Sequence, residues 1–452
     1  MKNNRLVLVS ANRQTDPYPV YPIGISYLSS FLNVHRPDLE IYLFDFMTSS
    51  FEDFIKLLQK TEPGYIGISL RNIDDVNIYR QESFIEHYKK IIGITREFSN
   101  SVIILGGAGF SIYPEILYRT LQPDFGISGE GEMSLLRLLN AIESDQDFKN
   151  IEGLIFKKGN EVKVNKRTTF NASAQLCYDE SLVDFYWKSS GMLNIQTKRG
   201  CPYRCIYCTY PLIEGTRVRT LDPQQIIDTL SHLYSEKQID YVFFTDSIFN
   251  ISNNFNSELA ERLIKSGLKI KWGGYFNFVN IDFELLSKFR QAGLQHIEFG
   301  TDSLSDFMLQ KYGKPFTFSN ILMASEFCDR LGINYAHFLI LGGYGETEKT
   351  LDETFKNSKR IGKTVFFPFI GMRIYPGTFL HEIAIKENIV KEKDPLLSPV
   401  YYISKEINLA TLKEKALKSG RRWIFPDENH SEVINRMRDK NKKGPLWEYL
   451  AT

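Results

Sequence analysis

Three cysteines within eight positions, Cys201, Cys205 and Cys208, are the residues best placed to do chemistry. They stand in Lys198–Arg199–Gly200–Cys201–Pro202–Tyr203–Arg204–Cys205–Ile206–Tyr207–Cys208, with spacing Cys-x-x-x-Cys-x-x-Cys. Thiolates are natural ligands of iron–sulfur clusters. A 4Fe–4S cube held by three cysteines leaves one iron open to a further ligand. Structural zinc is the competing use, but it needs four ligands, usually as two Cys-x-x-Cys pairs. Cys177 and Cys328 stand alone, and no His lies within twenty residues after Cys208. Five cysteines with three crowded together favour metal or catalysis over a disulfide framework.

The triplet directly follows a strand-like segment, Leu193–Lys198, which opens an alternating series. Further strands are predicted at Asp240–Thr245, Lys269–Gly273, His296–Gly300, Tyr335–Leu341 and Thr364–Ile374. Helical patterns fall at Asp222–Ser235, Asn256–Lys265, Phe283–Gln291, Asn320–Leu331 and Lys349–Ile361. Six such strands suit a partial (β/α)6 barrel, whose chemistry sits where strands end and loops begin. Trp272–Gly273–Gly274–Tyr275, Glu298–Phe299–Gly300–Thr301–Asp302–Ser303 and Leu341–Gly342–Gly343–Tyr344–Gly345–Glu346–Thr347 all fall at strand ends. Asp246 points to the same rim, as a ligand or as a structural cap.

The cysteine spacing, with Tyr207 as the aromatic residue before the third cysteine, resembles the radical S-adenosylmethionine (SAM) superfamily. The resemblance spans about residues 193–380 and implies a 4Fe–4S cluster on Cys201, Cys205 and Cys208. It implies that SAM chelates the open iron and is cleaved to a 5′-deoxyadenosyl radical by an electron from a flavodoxin- or ferredoxin-like donor. It also implies SAM contacts from Tyr207, Gly273, Gly274, Asp302, Ser303, Gly342 and Gly343, with Asp302 replacing the family's glutamate. Arg373, in Arg373–Ile374–Tyr375–Pro376–Gly377–Thr378, is a candidate for neutralising an anionic group.

The first 150 residues also alternate. Strands are predicted at Arg5–Ser10, Glu40–Asp45, Tyr65–Leu70, Val102–Gly106 and Asp124–Ser128, with helices at Pro22–Leu32, Phe51–Gln59, Gln81–Phe98, Ser111–Leu121 and Glu132–Ser144. This pattern implies an α/β, doubly wound, Rossmann-like domain binding ligands at the carboxyl ends of its strands. Tyr21–Pro22–Ile23–Gly24, Gly67–Ile68–Ser69–Leu70–Arg71, Leu105–Gly106–Gly107 and Ser128–Gly129–Glu130–Gly131–Glu132 resemble the cobalamin-binding domain of one branch of the superfamily. By that resemblance Gly24, Ser69, Arg71, Gly106, Gly107, Gly129, Glu130 and Gly131 contact cobalamin. No Asp-x-His-x-x-Gly motif supplies a lower axial histidine. A nicotinamide reading of Gly107-x-Gly109 fails, because Ile112 stands where Gly or Ala is needed.

The resulting domain reading is 1–150 cobalamin-binding-like, 151–190 hairpin and linker, 191–380 barrel, and 381–452 a mostly helical C-terminal region. A net charge of +1 gives no general reason to expect nucleic acid. No run of eighteen apolar residues predicts a membrane span, the apolar start is too short for a signal peptide, and a reducing cytoplasm is expected. The implied activity is an oxygen-sensitive, cobalamin-dependent radical methyltransferase acting on an unactivated carbon of a small-molecule or lipid-like substrate. The loop Thr197–Gly215 and Arg71–Asn72–Ile73–Asp74–Asp75 resemble a subgroup linked to lipid biosynthesis. A radical cyclase, desaturase or rearrangement enzyme is the first alternative, and a non-enzymatic cobalamin or redox sensor the second.

Overall fold

The computed structural model describes residues 3–15, 17–168, 176–428 and 436–450. The chain forms two compact units, one of residues 1–75, 82–186 and 212–215, the other of residues 76–81, 187–211 and 216–452.

In the first unit, Leu6, Val7, Leu8 and Val9 are all buried, as in a strand covered on both faces. They lie in β1 (Arg5–Ser10), which is followed by β2 (Glu40–Asp45), β3 (Tyr65–Ser69), β4 (Val102–Gly106) and β5 (Phe125–Ile127). These five run parallel in the order β2-β1-β3-β4-β5. The chain direction of winding reverses between β1 and β3, so their carboxyl ends form the switch point where such sheets bind ligands. The hairpin β6 (Leu154–Lys158) and β7 (Glu161–Val164) extends the sheet antiparallel to β5. Helix Phe51–Thr61 starts at a reciprocal cap between Ser50 and Asp53. The single helix expected at Ser111–Leu121 is instead two, Ala108–Ile112 and Pro114–Leu121. Pro114 has no N–H to continue the first, while its fixed φ suits the start of the second.

The second unit contains β8 (Leu193–Ile195), β9 (Lys198–Arg199), β10 (Arg219–Thr220), β11 (Tyr241–Phe244), β12 (Lys271–Phe276) and β13 (Leu294–Asp302). It continues with β14 (Asn334–Leu341), β15 (Val365–Ile370), β16 (Met372–Arg373), β17 (Tyr401–Tyr402) and β18 (Arg422–Trp423). Seven strands pair in parallel in the order β8-β11-β12-β13-β14-β15-β18, leaving an open barrel edged by β8 and β18. The strand expected at Thr364–Ile374 breaks at Gly371 into β15 and β16. The C-terminal region is helical at Phe379–Lys386 and Leu412–Lys418 and also supplies β17 and β18.

Two faces of this sheet are distinct. His337 stacks with Phe299 and Phe366 on the helix-covered face, where its Nδ1 meets Thr301 Oγ1 at 2.7 Å and Nε2 faces Ser325. The inner face carries Ala336, Phe338, Val365 and Phe367, packed with Trp447 from the turn Leu446–Leu450. That turn lies toward the starts of the strands.

Candidate active site

The cysteine loop leaves β9, and its base is held by Asp246 at the end of β11. The fully buried Asp246 carboxylate accepts from Thr197 N at 2.7 Å, Lys198 N at 3.0 Å, Thr197 Oγ1 at 2.5 Å and Lys198 Nζ at 2.8 Å. Lys198 is buried as well, 4.3 Å above the Phe249 ring; burial lowers its pKa against the pull of Asp246. With every carboxylate oxygen engaged this way, Asp246 acts as the structural cap. Gly200 follows at φ +94, where a Cβ would lie 2.1 Å from the Arg217 carbonyl oxygen. Only glycine can bring the loop so close to that backbone.

Cys201 is buried, while Cys205 and Cys208 are partly exposed. Burial and then the neighbouring Cys205 push the Cys208 thiol up to about 12. Burial also raises Cys205, with Lys314 acting in the opposite direction. Such thiols ionise readily only when a metal replaces the proton. Among the described residues, no three His, Cys, Asp or Glu side chains close around a single ion. A cube of iron and sulfide spreads its thiolates more widely than one ion does, so the three thiols on one loop fit a cluster by their chemistry.

Behind this loop Tyr207 Oη donates to Asp302 Oδ2 at 2.5 Å, and Lys314 Nζ reaches the same oxygen at 2.6 Å. The Asp302 and Lys314 side chains are only 7% and 8% exposed. Burial alone would lower the Lys314 pKa, but Asp302 and Cys205 outweigh it and raise it. Ile206 N donates to the Tyr312 carbonyl at 3.2 Å, which ties the loop to the segment after β13. Ser303 takes no part in this set. Its hydroxyl lies 3.3 Å from Thr354 Oγ1 and accepts from Ser305 N at 3.2 Å.

Gly342 and Gly343 form the turn after β14, and the buried Glu346 carboxylate accepts from the Gly342 N–H. Burial pushes Glu346 up to about 7. Glu346 Oε1 and Tyr312 Oη are buried with no hydrogen-bond partner, and a Cβ at Gly343 would lie 2.4 Å from that hydroxyl. On β12, Gly273 makes room for His296, whose ring a Cβ would meet at 2.0 Å, and Gly274 faces Phe244 and Phe249. His296 Nδ1 is 2.7 Å from Tyr241 Oη, which donates to Glu448 at 2.7 Å, and Trp447 Nε1 donates to Glu298 at 3.1 Å. This polar group lies at the Trp447 end of the barrel. Arg373 directs its guanidinium to the Ile374 and Leu396 carbonyls at 2.6 and 2.7 Å. Cys328 is buried in helix Phe318–Leu331.

In the first unit, Ala11 N donates to Ser69 O at 3.2 Å, Leu70 N to Gly106 O at 2.8 Å, and Gly109 N to Leu70 O at 2.8 Å. These bonds draw the ends of β1, β3 and β4 together. Gly107 has φ +95, and a Cβ there would lie 2.6 Å from Leu70 O, so its backbone sits where no side chain fits. Arg71 is exposed just beyond. Gly129, whose N donates to Ser111 Oγ at 2.8 Å, precedes Glu130 and Gly131, the latter opening helix Glu132–Glu143. Gly24 lies inside helix Ile23–His35 with open space around its missing side chain. Asn12 is buried at the switch point and its Nδ2 has no partner. An unmatched buried donor beside glycine turns fits a ligand rich in amide carbonyls, such as cobalamin.

Residues 195–357 match the radical SAM superfamily. These residues, all but 212–215 of them in the second unit, carry a radical SAM domain. An uncharacterised methyltransferase of Pyrococcus horikoshii is 24% identical over 86% of this chain and 85% of its own length. The tryptophan 2-C-methyltransferase of Streptomyces laurentii is 22% identical over 83% of this chain and 74% of its own. Among solved structures, the radical SAM methyltransferase TsrM of Kitasatospora setae, with cobalamin and a 4Fe–4S cluster bound, covers 99% of this chain and 97% of its own at TM-score 0.87 and 19% identity. The two units therefore share a fold with a protein that binds both groups.

Several residues of the two units escaped the sequence reading. Lys314 and Lys198 are isolated lysines in sequence, and only folding places them beside Asp302 and Asp246. Tyr312 and Asn12 carried no spacing signal. Glu346 stood within the glycine-rich segment, and its buried carboxylate was foreshadowed only by that position. Among the described residues, no helix is long and apolar enough to cross a membrane.

Proposed function

We propose that this chain is a cobalamin-dependent radical SAM methyltransferase that methylates an unactivated carbon of a small molecule. The observation that carries the reading is the three-thiol loop at the carboxyl ends of the barrel strands, buttressed by Tyr207, Asp302 and Lys314. Cys201, Cys205 and Cys208 would hold the cluster, and Tyr207, Asp302, Gly342 and Gly343 would face SAM. Ser69, Arg71, Gly106, Gly107, Gly129, Glu130, Gly131 and Asn12 would hold cobalamin. When bound, the cluster supplies the electron that cleaves SAM, and cobalamin supplies the methyl carrier.

The chain's own residues position and shield. Asp246 fixes the backbone three residues before Cys201. Lys314 sets a buried positive charge beside Cys205, which favours the thiolate. Tyr207 orients Asp302, and Glu346 braces the glycine turn. The acceptor named for the Streptomyces laurentii relative is tryptophan, which is not a lipid.

The test is anaerobic reconstitution with iron, sulfide and hydroxocobalamin, followed by ultraviolet–visible spectroscopy and reaction with methyl-labelled SAM. Retained iron and about one cobalamin per chain, with label in an organic product, are expected. Label-free product with 5′-deoxyadenosine would favour a cyclase or rearrangement enzyme. A colourless protein would refute the reading.

A further inference from the structure

The barrel lumen has a feature apart from the cysteine loop and its supports. Near Trp447, the inward-facing His296 and Glu298 are already engaged by Tyr241 and Trp447. The same inner face carries Phe243, stacked on His296, and Tyr275, in register with Glu298, and further toward the carboxyl ends of the strands it presents Gly300, Phe338, Phe367 and Phe369. None of the residues presented there is an Asp, Glu, His, Lys or Arg.

Phe338 is in register with Gly300 on one side and Phe367 on the other. The Phe338 and Phe367 rings stack at 5.0 Å with 14° between their planes, and Phe369 continues the series 6.4 Å from Phe338 at 28°. On β12, diagonal to Gly300 and in register with Glu298, Tyr275 meets Phe243 edge to face at 4.9 Å and 78°. A Cβ at Gly300 would touch nothing within 4 Å. Tyr275 and Phe369 are 39% and 43% exposed. Large aromatic side chains ordinarily bury most of their surface. Here a glycine gap lies between aromatic walls that still have open surface.

We propose that this slot receives a flat, uncharged aromatic ring of the methyl acceptor. Near-parallel Phe rings extend an offset stack to an incoming ring, and the bare Gly300 backbone supplies its width. An anionic group would be desolvated there beside the buried Glu298, without a counterion. Ring binding needs only the slot, whereas calling the ring the methyl acceptor rests on the methyltransferase reading.

Reconstituted holoprotein, with and without saturating SAM, is dialysed against 2-naphthol and against its saturated counterpart 2-decalol. Tighter binding of 2-naphthol by about tenfold is expected, because only the aromatic probe can stack. Gly300→Leu, which fills the gap, and Phe369→Ala, at an exposed position, should each weaken 2-naphthol by roughly fivefold or more while SAM and iron stay bound. Equal binding of the two probes, displacement of 2-naphthol by SAM, or wild-type affinity in both variants would overturn the proposal. Iron and SAM measured in the same samples separate the readings. Their absence from wild type counts against the radical chemistry, while the naphthol-to-decalol ratio still decides the slot.

Discussion

Replacing Asp246 by Ala tests whether the cluster loop depends on a buried ion pair at its base. The substitution leaves the Lys198 ammonium in a site with 1% side-chain exposure and removes the acceptor of two backbone N–H groups. Breaking a buried pair by removing one partner costs about 3–5 kcal/mol. For a unit of this size, each kcal/mol lowers the melting temperature by roughly 2–4 °C, so a drop on the order of 10 °C is expected. Lys198→Met should cost less, because Asp246 keeps its three donors from Thr197 and Lys198 N. The assay is thermal melting of the apoprotein under anoxia, with iron content after reconstitution measured on the same variants. Asp246→Ala should be the less stable variant and should hold less iron, since the frayed backbone lies just ahead of Cys201. A melting change below about 3 °C with unchanged iron would refute the role given to Asp246.

Lys314→Met removes a buried positive charge near Cys205 and should shift the cluster potential to more negative values, read by redox titration monitored with electron paramagnetic resonance. No shift would remove Lys314 from the cluster environment. Glu346, raised from its ordinary value of 4.5 to about 7 by burial, binds its proton more tightly folded than unfolded. Its contribution to stability is therefore present below about pH 4.5 and is lost as pH rises through about 7, by up to ~3 kcal/mol. Glu346→Gln should flatten the fall in melting temperature between pH 5 and pH 8, and parallel curves would contradict the burial argument. Gly107→Ala should destabilise the first unit by on the order of 2 kcal/mol in denaturant melts, because of its positive φ and the Leu70 carbonyl. Gly24→Ala, inside a helix with open space, should stabilise it by about 0.5–1 kcal/mol in the same melts.

Legibility followed the range of the interaction. The five parallel strands of the first unit were readable because each is a short, nearly continuous apolar run, and Arg5–Ser10, Glu40–Asp45 and Val102–Gly106 match residue for residue. The cysteine triplet was readable because its ligands lie on one loop. Element breaks were less visible. Tyr113–Pro114 splits a helical pattern, and Gly371 splits a strand, through local backbone restrictions that hydrophobic periodicity does not register. The two-residue strand Arg422–Trp423 is too short to carry a period at all.

What the amino-acid order settled by itself is the class of chemistry: three thiols in one loop at the head of a strand–helix series, with glycines at later strand ends. Only tertiary structure decided the partners. Lys314 meets Asp302 twelve residues away across the short helix Asp306–Lys311, and Asp246 meets Lys198 from 48 residues downstream. It also decided that Ser303 and Arg373 are engaged elsewhere, and that Gly273 accommodates a histidine ring. Ligand spacing within a loop is written along the chain. Which buried charge finds its counterion depends on how parallel strands align, because a lone lysine has no sequence signal until desolvation makes pairing obligatory.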